Sequence, residues 1–325
     1  LQEPENTNKG YEIIEEQDGG VTLDFDPSQK QSEGDYFANI AEFIDDDILE
    51  KLSSDLQKNF EDDKNSRSDW EKTYKEGLDL LGFKYEERSK PFAGAAGVTH
   101  PLLAEAVTQF QAQAYKELLP PGGPVRTEIL GVPSLEVEQQ AERIKEFMNY
   151  QITCEMQEFD PELDQLLFHL PLAGSAFKKV YYDGTLERAV SKFIPAEDLV
   201  VPYFITDLES CGRITHIVKM KHNDLRKNQV SGFYRDIELQ PNTAKTSDIK
   251  EKQDELSGVE QVSFTEEEHN VLEMHVDLDL PGFEDMGANN EKTGIMLPYI
   301  VTLDEDSGEI LSIYRNWNQG DASRK

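Results

Sequence analysis

The sequence predicts an α+β chain, with most helices before residue 171 and antiparallel strands after it. Three observations predict it. Apolar residues recur at three- and four-residue spacing among Ile48, Leu49, Leu52, Leu56 and Phe60, and again in two later stretches, which is the helical period. Leu272, Met274, Val276 and Leu278 alternate with Glu273, His275, Asp277 and Asp279, the period of a half-buried strand. Apolar runs also flank turn signals at Asp183-Gly184 and from Asp304 to Gly308, marking hairpins.

Residues 1–36 carry Pro4, Gly10, Gly19, Gly20, Pro27 and many acids, with short apolar spots at Ile13-Ile14 and Val21-Thr22-Leu23. They read as an arm, disordered or laid along a neighbour. A helical and β region is expected over 37–240. Its first helix carries Ile48 to Phe60 on one face, and Asp45-Asp46-Asp47 stand where a helix N-terminus favours negative charge. No His or Cys lies near these acids, so a solvated cap is preferred to a metal site. A polar turn is expected from Asp62 to Asp69. A second helix then presents Trp70, Tyr74, Leu78 and Leu81, and Gly82 ends it.

Gly94-Ala95-Ala96-Gly97-Val98-Thr99 places glycines before a helix without the Lys and spacing of a phosphate loop. A tight backbone approach is expected there. The third helix starts near Thr99 to Pro101. Leu103, Ala106, Phe110 and Ala114 make its stripe, widened by Leu102, Val107, Tyr115 and Leu118, and intramolecular core is the expected use. After the break at 120–124, a helix over 134–156 carries Val137, Ala141, Ile144, Met148 and Ile152. Asp160-Pro161 starts a shorter helix with Leu163, Leu166, Leu167 and Leu170, which Pro171 is expected to stop.

A hairpin follows over 176–182 and 189–194, then strands at 199–203 and 214–220 and a short helix at 223–229. Residues 241–265 lack apolar periodicity and read as a flexible connection. The last stretch, 266–325, is hairpin-rich, with strands over 270–280, 295–303 and 310–314. There is no internal repeat, heptad run or low-complexity tract.

Composition bounds the function. A chain of 325 residues is ample for a sizeable core in one large domain or two. Against 65 acidic residues stand 32 basic ones, a formal net charge of −33, which argues against an ordinary nucleic-acid binder. It is compatible with a surface that nucleic acid slides past. Cys154 and Cys211 are too few for a disulfide framework and read as reduced thiols. No apolar run approaches the roughly 20 residues of a membrane helix. The start, Leu1-Gln2-Glu3-Pro4, is unlike a signal peptide, and a first residue other than Met is read as a sign of a trimmed or partial chain.

Catalytic chemistry is not expected. The histidines His100, His169, His216, His222, His269 and His275 form no metal pair at four-residue spacing, and neither cysteine belongs to a two-Cys knuckle. His216 and His222 could approach each other, with ordinary surface or core roles preferred. Asp304, Asp306 and Gly308 resemble part of a calcium loop, but Glu309 and Arg315 stand where Gly and Glu are required, so a β-turn is expected. Nucleophile elbow, dinucleotide fingerprint and Glu-x-Lys pair are all missing from the sequence. No catalytic, metal-binding or cofactor-binding residue is assigned, and no cofactor is expected.

One ordered set of motifs remains. Pro91-Phe92-Ala93-Gly94-Ala95 leads to Pro101-Leu102-Leu103-Ala104-Glu105-Ala106, Gln109-Phe110-Gln111-Ala112 and Ala114-Tyr115. Met148-Asn149-Tyr150-Gln151 and the run from Leu170-Pro171-Leu172-Ala173-Gly174-Ser175 to Tyr181-Tyr182-Asp183 follow. Pro195-Ala196-Glu197-Asp198-Leu199, Arg213-Ile214-Thr215-His216 and Tyr314-Arg315-Asn316-Trp317 close the set. In this order the motifs resemble the portal proteins of short-tailed bacteriophages, the head-to-tail connectors. The resemblance implies a helical wing packed with a mainly antiparallel β-rich subdomain, in a chain corresponding to the N-terminal portion of a portal and leading toward a stem it does not contain. It implies a structural, non-enzymatic subunit of a homo-oligomeric ring, usually of about twelve copies, at the portal vertex of the virion capsid. The implied partners are the major capsid protein, terminase during packaging, the tail adaptor, and double-stranded DNA moving through the channel, with no membrane. The alternative is another virion assembly or head-tail adaptor protein without a DNA channel. High negative charge would keep packaged DNA from adhering to the ring.

Overall fold

The computed structural model describes residues 12–15, 21–24, 36–82, 92, 97, 100–184, 186–239, 248–256, 268–287 and 291–317. In chain order come strands β1 (Glu12–Glu15) and β2 (Val21–Asp24), then helices α1 (Asp46–Ser66), α2 (Ser68–Leu81), α3 (Leu102–Leu118), α4 (Leu135–Tyr150) and α5 (Phe159–Ala173). Strands β3 (Phe177–Asp183), β4 (Arg188–Ile194), β5 (Leu199–Val200) and β6 (Arg213–Lys221) follow, then helices α6 (His222–Val230) and α7 (Asp248–Leu256). Strands β7 (Glu268–Leu278), β8 (Leu297–Asp304) and β9 (Ile310–Arg315) complete the series. The structure is thus mixed α and β with antiparallel sheets, as α+β requires.

β5 to β9 pair in sequence order as a five-stranded antiparallel meander, while β1–β2 and β3–β4 are separate two-stranded hairpins. The alternation in β7 decides how the large sheet is covered. Leu272, Met274 and Val276 face α1, where they join Leu49, Leu56 and Phe60 with Tyr299, Val301 and Leu303 of β8. Val271 faces the other way, into a smaller cluster with Leu225 of α6, Tyr234, Leu239 and Leu311. Helix, sheet and helix therefore stack as three layers. A bulge in β9 lets Ile310 and Ile313 both join the α1 side while Leu311 joins the α6 side. A second body gathers α2, α5, α7 and β3 around Tyr74, Leu78, Ala173, Ala196 and Ile249.

Several boundaries differ from the expectations. The polar turn at 62–69 shrinks to one residue, Arg67, because its polar side chains have fixed partners. Asp63 is buried and takes two hydrogen bonds from Arg213 at 2.8 and 2.9 Å. Arg67 donates to the carbonyls of Ala196, Glu197 and Leu199 at 3.2, 2.7 and 3.0 Å. Pro171 lies inside α5 instead of stopping it, since a proline in the last turn removes a single backbone hydrogen bond. The stop comes at Gly174, whose φ of 79° suits glycine. The strand expected over 199–203 is cut to β5, as Pro202 has no N–H to donate and its carbonyl accepts from Ile205 in a turn. Where 241–265 reads as a connection, the chain forms α7, with Ile249 buried beside Tyr74 and Leu78. The expected tight approach at 94–99 lies outside the described residues, Gly97 excepted.

Candidate assembly surface

Helical periodicity produced amphipathic helices, yet two of them bury little. Val107 is the one buried residue of α3, and α4 buries none of its sixteen. The stripe of α3 expected to be core is therefore partly open: Ala106 and Phe110 are exposed, as are Leu102 and Leu118 on its flanks. One side of α3 does rest on α5, where Gln111 Nε2 donates to Asp164 Oδ1 at 2.7 Å and Tyr115 hydrogen-bonds Asp160. On α4, Leu135, Val137, Ile144, Phe147 and Met148 all face water, Leu135 at 71% exposure. The loop before α4 adds Leu130 at 92% and Val132 at 90%.

This surface is held in place by a few polar contacts. Ser134 caps α4 by accepting from Val137 N. Asn149 clamps the preceding loop, accepting from Val125 N at 2.9 Å and donating to Val125 O at 3.2 Å. Gly123 sits beside that amide with φ 91°, where a Cβ would be strained and would collide with Asn149. Beyond Tyr150 the helix widens into a π turn over Gln151–Glu155, so helical backbone covers nearly all of the expected 134–156. Burying an apolar side chain of this size is worth about 1.5–3 kcal/mol, so the exposed Val137, Ile144, Phe147 and Met148, which the helical period sets on one side of α4, mark a candidate contact surface.

Among the described residues the histidines pair differently from the sequence expectation. His216 and His222 do not meet. His222 instead lies 3.1 Å from His269 through their ring nitrogens, and His269 Nδ1 is 3.8 Å from Asp304 Oδ1. The β6–β7 register makes this contact by setting Met220 opposite His269. His216 points into a separate group in which His275 donates to Glu273 Oε1 at 3.2 Å and Lys179 of β3 pairs with the same carboxylate. Burial and the nearby Lys179 ammonium push the His216 imidazole down to about 4. Burial opposes the Glu273 carboxylate, but the His275 hydrogen bond and Lys179 hold its pKa down to about 2. Asp304 forms the expected β-turn, accepting from Ser307 N at 2.9 Å. Asp45 is the N-cap residue of α1, and Asp46 pairs with Arg235 at 2.9 Å. Among the described residues no group of three or more His, Cys, Asp or Glu could hold a metal ion, and no helix is long and apolar enough to cross a membrane.

No protein-family model and no curated protein matches the chain.

Proposed function

We propose that the chain is a structural subunit of a phage portal ring at the capsid vertex, the conduit for DNA packaging and ejection and the attachment point for terminase and tail. The observation that carries this reading is α4, which buries no residue within its own chain while five of its apolar side chains face water. Such a helix gains most of its stability when a neighbour covers it. In a ring each copy offers one face and receives a different one, a contact that closes by rotation. The ordered motifs from Pro101-Leu102-Leu103 to Tyr314-Arg315-Asn316-Trp317 support the same reading. The role is structural and uses no cofactor.

Negative-stain electron microscopy with mass photometry, on the longest expressible form of the protein, tests it. Rings of about twelve copies with a central hole are expected. A persistent monomer or two-fold dimer would overturn the ring and favour a head-tail adaptor without a DNA channel.

A further inference from the structure

The chain has about twice as many acids as bases, yet five cations line one cleft of about 550 Å³: Lys64, Arg67, Lys72, Lys75 and Lys219. Its walls come from the α1–α2 junction, β6, β7, α7 and the β8–β9 turn. Lys72 and Lys75 stand three residues apart on α2, and so on one side of it, while Lys219 comes from β6. Arg67 is fixed in place by Glu71 and three carbonyls. Lys72 and Lys219 are exposed, and among the described residues neither makes an ion pair. Four acids share the lining, and each is paired or withdrawn from water. Glu71 takes a 2.8 Å hydrogen bond from Arg67, and Glu305 is 3.5 Å from Lys64 and accepts from Asn270. Glu197 is 8% exposed and accepts from Gln253 at 3.0 Å. Burial pushes both the Glu197 and the Asp198 carboxyls up. A solute entering the cleft therefore meets exposed ammonium groups first.

We infer that this cleft is a binding site for a small polyphosphate anion. An ammonium group offers donors and no acceptor, so its partner must accept hydrogen bonds and carry negative charge. Ser68, the first residue of α2, adds a hydroxyl donor to the same lining. The cations are spread over two helices and a strand, around a space within the roughly 300–1,000 Å³ of small-molecule sites. A single carboxylate or phosphate group would engage only part of that set. A short chain of phosphates can engage the α2 lysines and Lys219 together. A long nucleic-acid strand is disfavoured, because a chain with a net charge of −33 repels an extended polyanion along its whole length. A small anion inside the cleft feels mainly the charges within a Debye length, about 8 Å at physiological salt, and there the exposed lysines dominate.

Isothermal titration calorimetry of the full chain with sodium tripolyphosphate, at low ionic strength, tests the site. One saturable site per chain is expected. In the double variant K72E/K219E the affinity should fall about tenfold, the effect of removing two exposed cations and adding like charge. The milder variant K219Q should lose about threefold. The variant K58E, on the exposed side of α1, should bind as the parent does. All three replace exposed side chains, so their thermal midpoints without ligand should match the parent's. No saturable binding, or equal affinity in the parent and K72E/K219E, would overturn the inference. Displacement of tripolyphosphate by sulfate at the same ionic strength would also overturn it, reducing the cleft to a diffuse counter-ion cloud. A single-stranded oligonucleotide that binds more tightly than tripolyphosphate, and loses as much in K72E/K219E, would assign the cleft to a nucleic-acid backbone instead. None of these results touches the ring reading, which stands or falls on particle symmetry.

Discussion

Glu273 and His216 face each other across β6 and β7, and each is held in the protonation state that costs least in its surroundings. Both pKa values are depressed on folding, so both groups favour the folded chain at higher pH and lose that contribution on acidification. For His216 the loss runs from about 6.5 down to about 4, and for Glu273 from about 4.5 down to about 2. The contributions of His216 and Glu273 to the urea midpoint should therefore be flat above pH 6.5 and fall below it, against the opposite trend of Glu197 and Asp198, whose carboxyls burial pushes up. His216→Gln should remove the upper part of that fall, which is worth roughly 2 kcal/mol. A difference in midpoint between the parent and His216→Gln that stays constant between pH 6.5 and 4 would refute the assignment. Asn39 makes a second test at this scale. Its buried amide donates to Leu311 O at 3.0 Å and accepts from Ile313 N at 2.9 Å. Asn39→Ala leaves a buried N–H without its partner and should cost about 2–3 kcal/mol in denaturant unfolding.

Among the elements, the junction between α1 and α2 depends on Arg67 reaching three carbonyls in the 196–199 segment. Arg67→Ala should destabilise by about 2–4 kcal/mol, and Arg67→Lys should recover little of it, because an ammonium lacks the planar fork. Equal stability of the Lys variant and the parent would show that charge alone suffices. The same junction shows what periodicity can and cannot reveal. Leu49, Leu56 and Phe60 announced α1 because one face of it meets an apolar sheet. The continuation through 62–66 is hidden, since Asp63 within it is held by Arg213, 150 residues away. α7 was hidden for another reason: Ile249 and Leu256 are its main apolar contacts with the second body, too few to set a period in nine residues. The His222–His269 contact spans 47 positions and depends on strand register, which no local spacing encodes. The stripes of α3 and α4 were legible as stripes. That they stay largely exposed within the chain was not, because an apolar face reads the same in sequence whether or not the chain itself buries it.

For the whole molecule, separating folding from assembly gives the sharpest test of α4. Ile144→Glu with Phe147→Glu places two charges on a face that buries nothing inside the chain. The thermal midpoint of the isolated subunit should shift by no more than about 0.5 kcal/mol equivalent, while ring formation should be lost. Rings that survive in the double variant would move the contact elsewhere. The five-stranded sheet adds a constraint of its own. At β9 the hydrogen-bonding row that a further strand would use is already taken at Leu311 and Ile313 by a side-chain amide, with Arg235 N also donating to Leu311 O. A sheet blocked at that margin cannot recruit an unrelated chain there, and strand-by-strand polymerisation, which has no intrinsic end point, is denied a template on that side. In the proposed ring, copy number would then be left to side-chain packing between helices, where the angle of each contact sets how many subunits complete a turn.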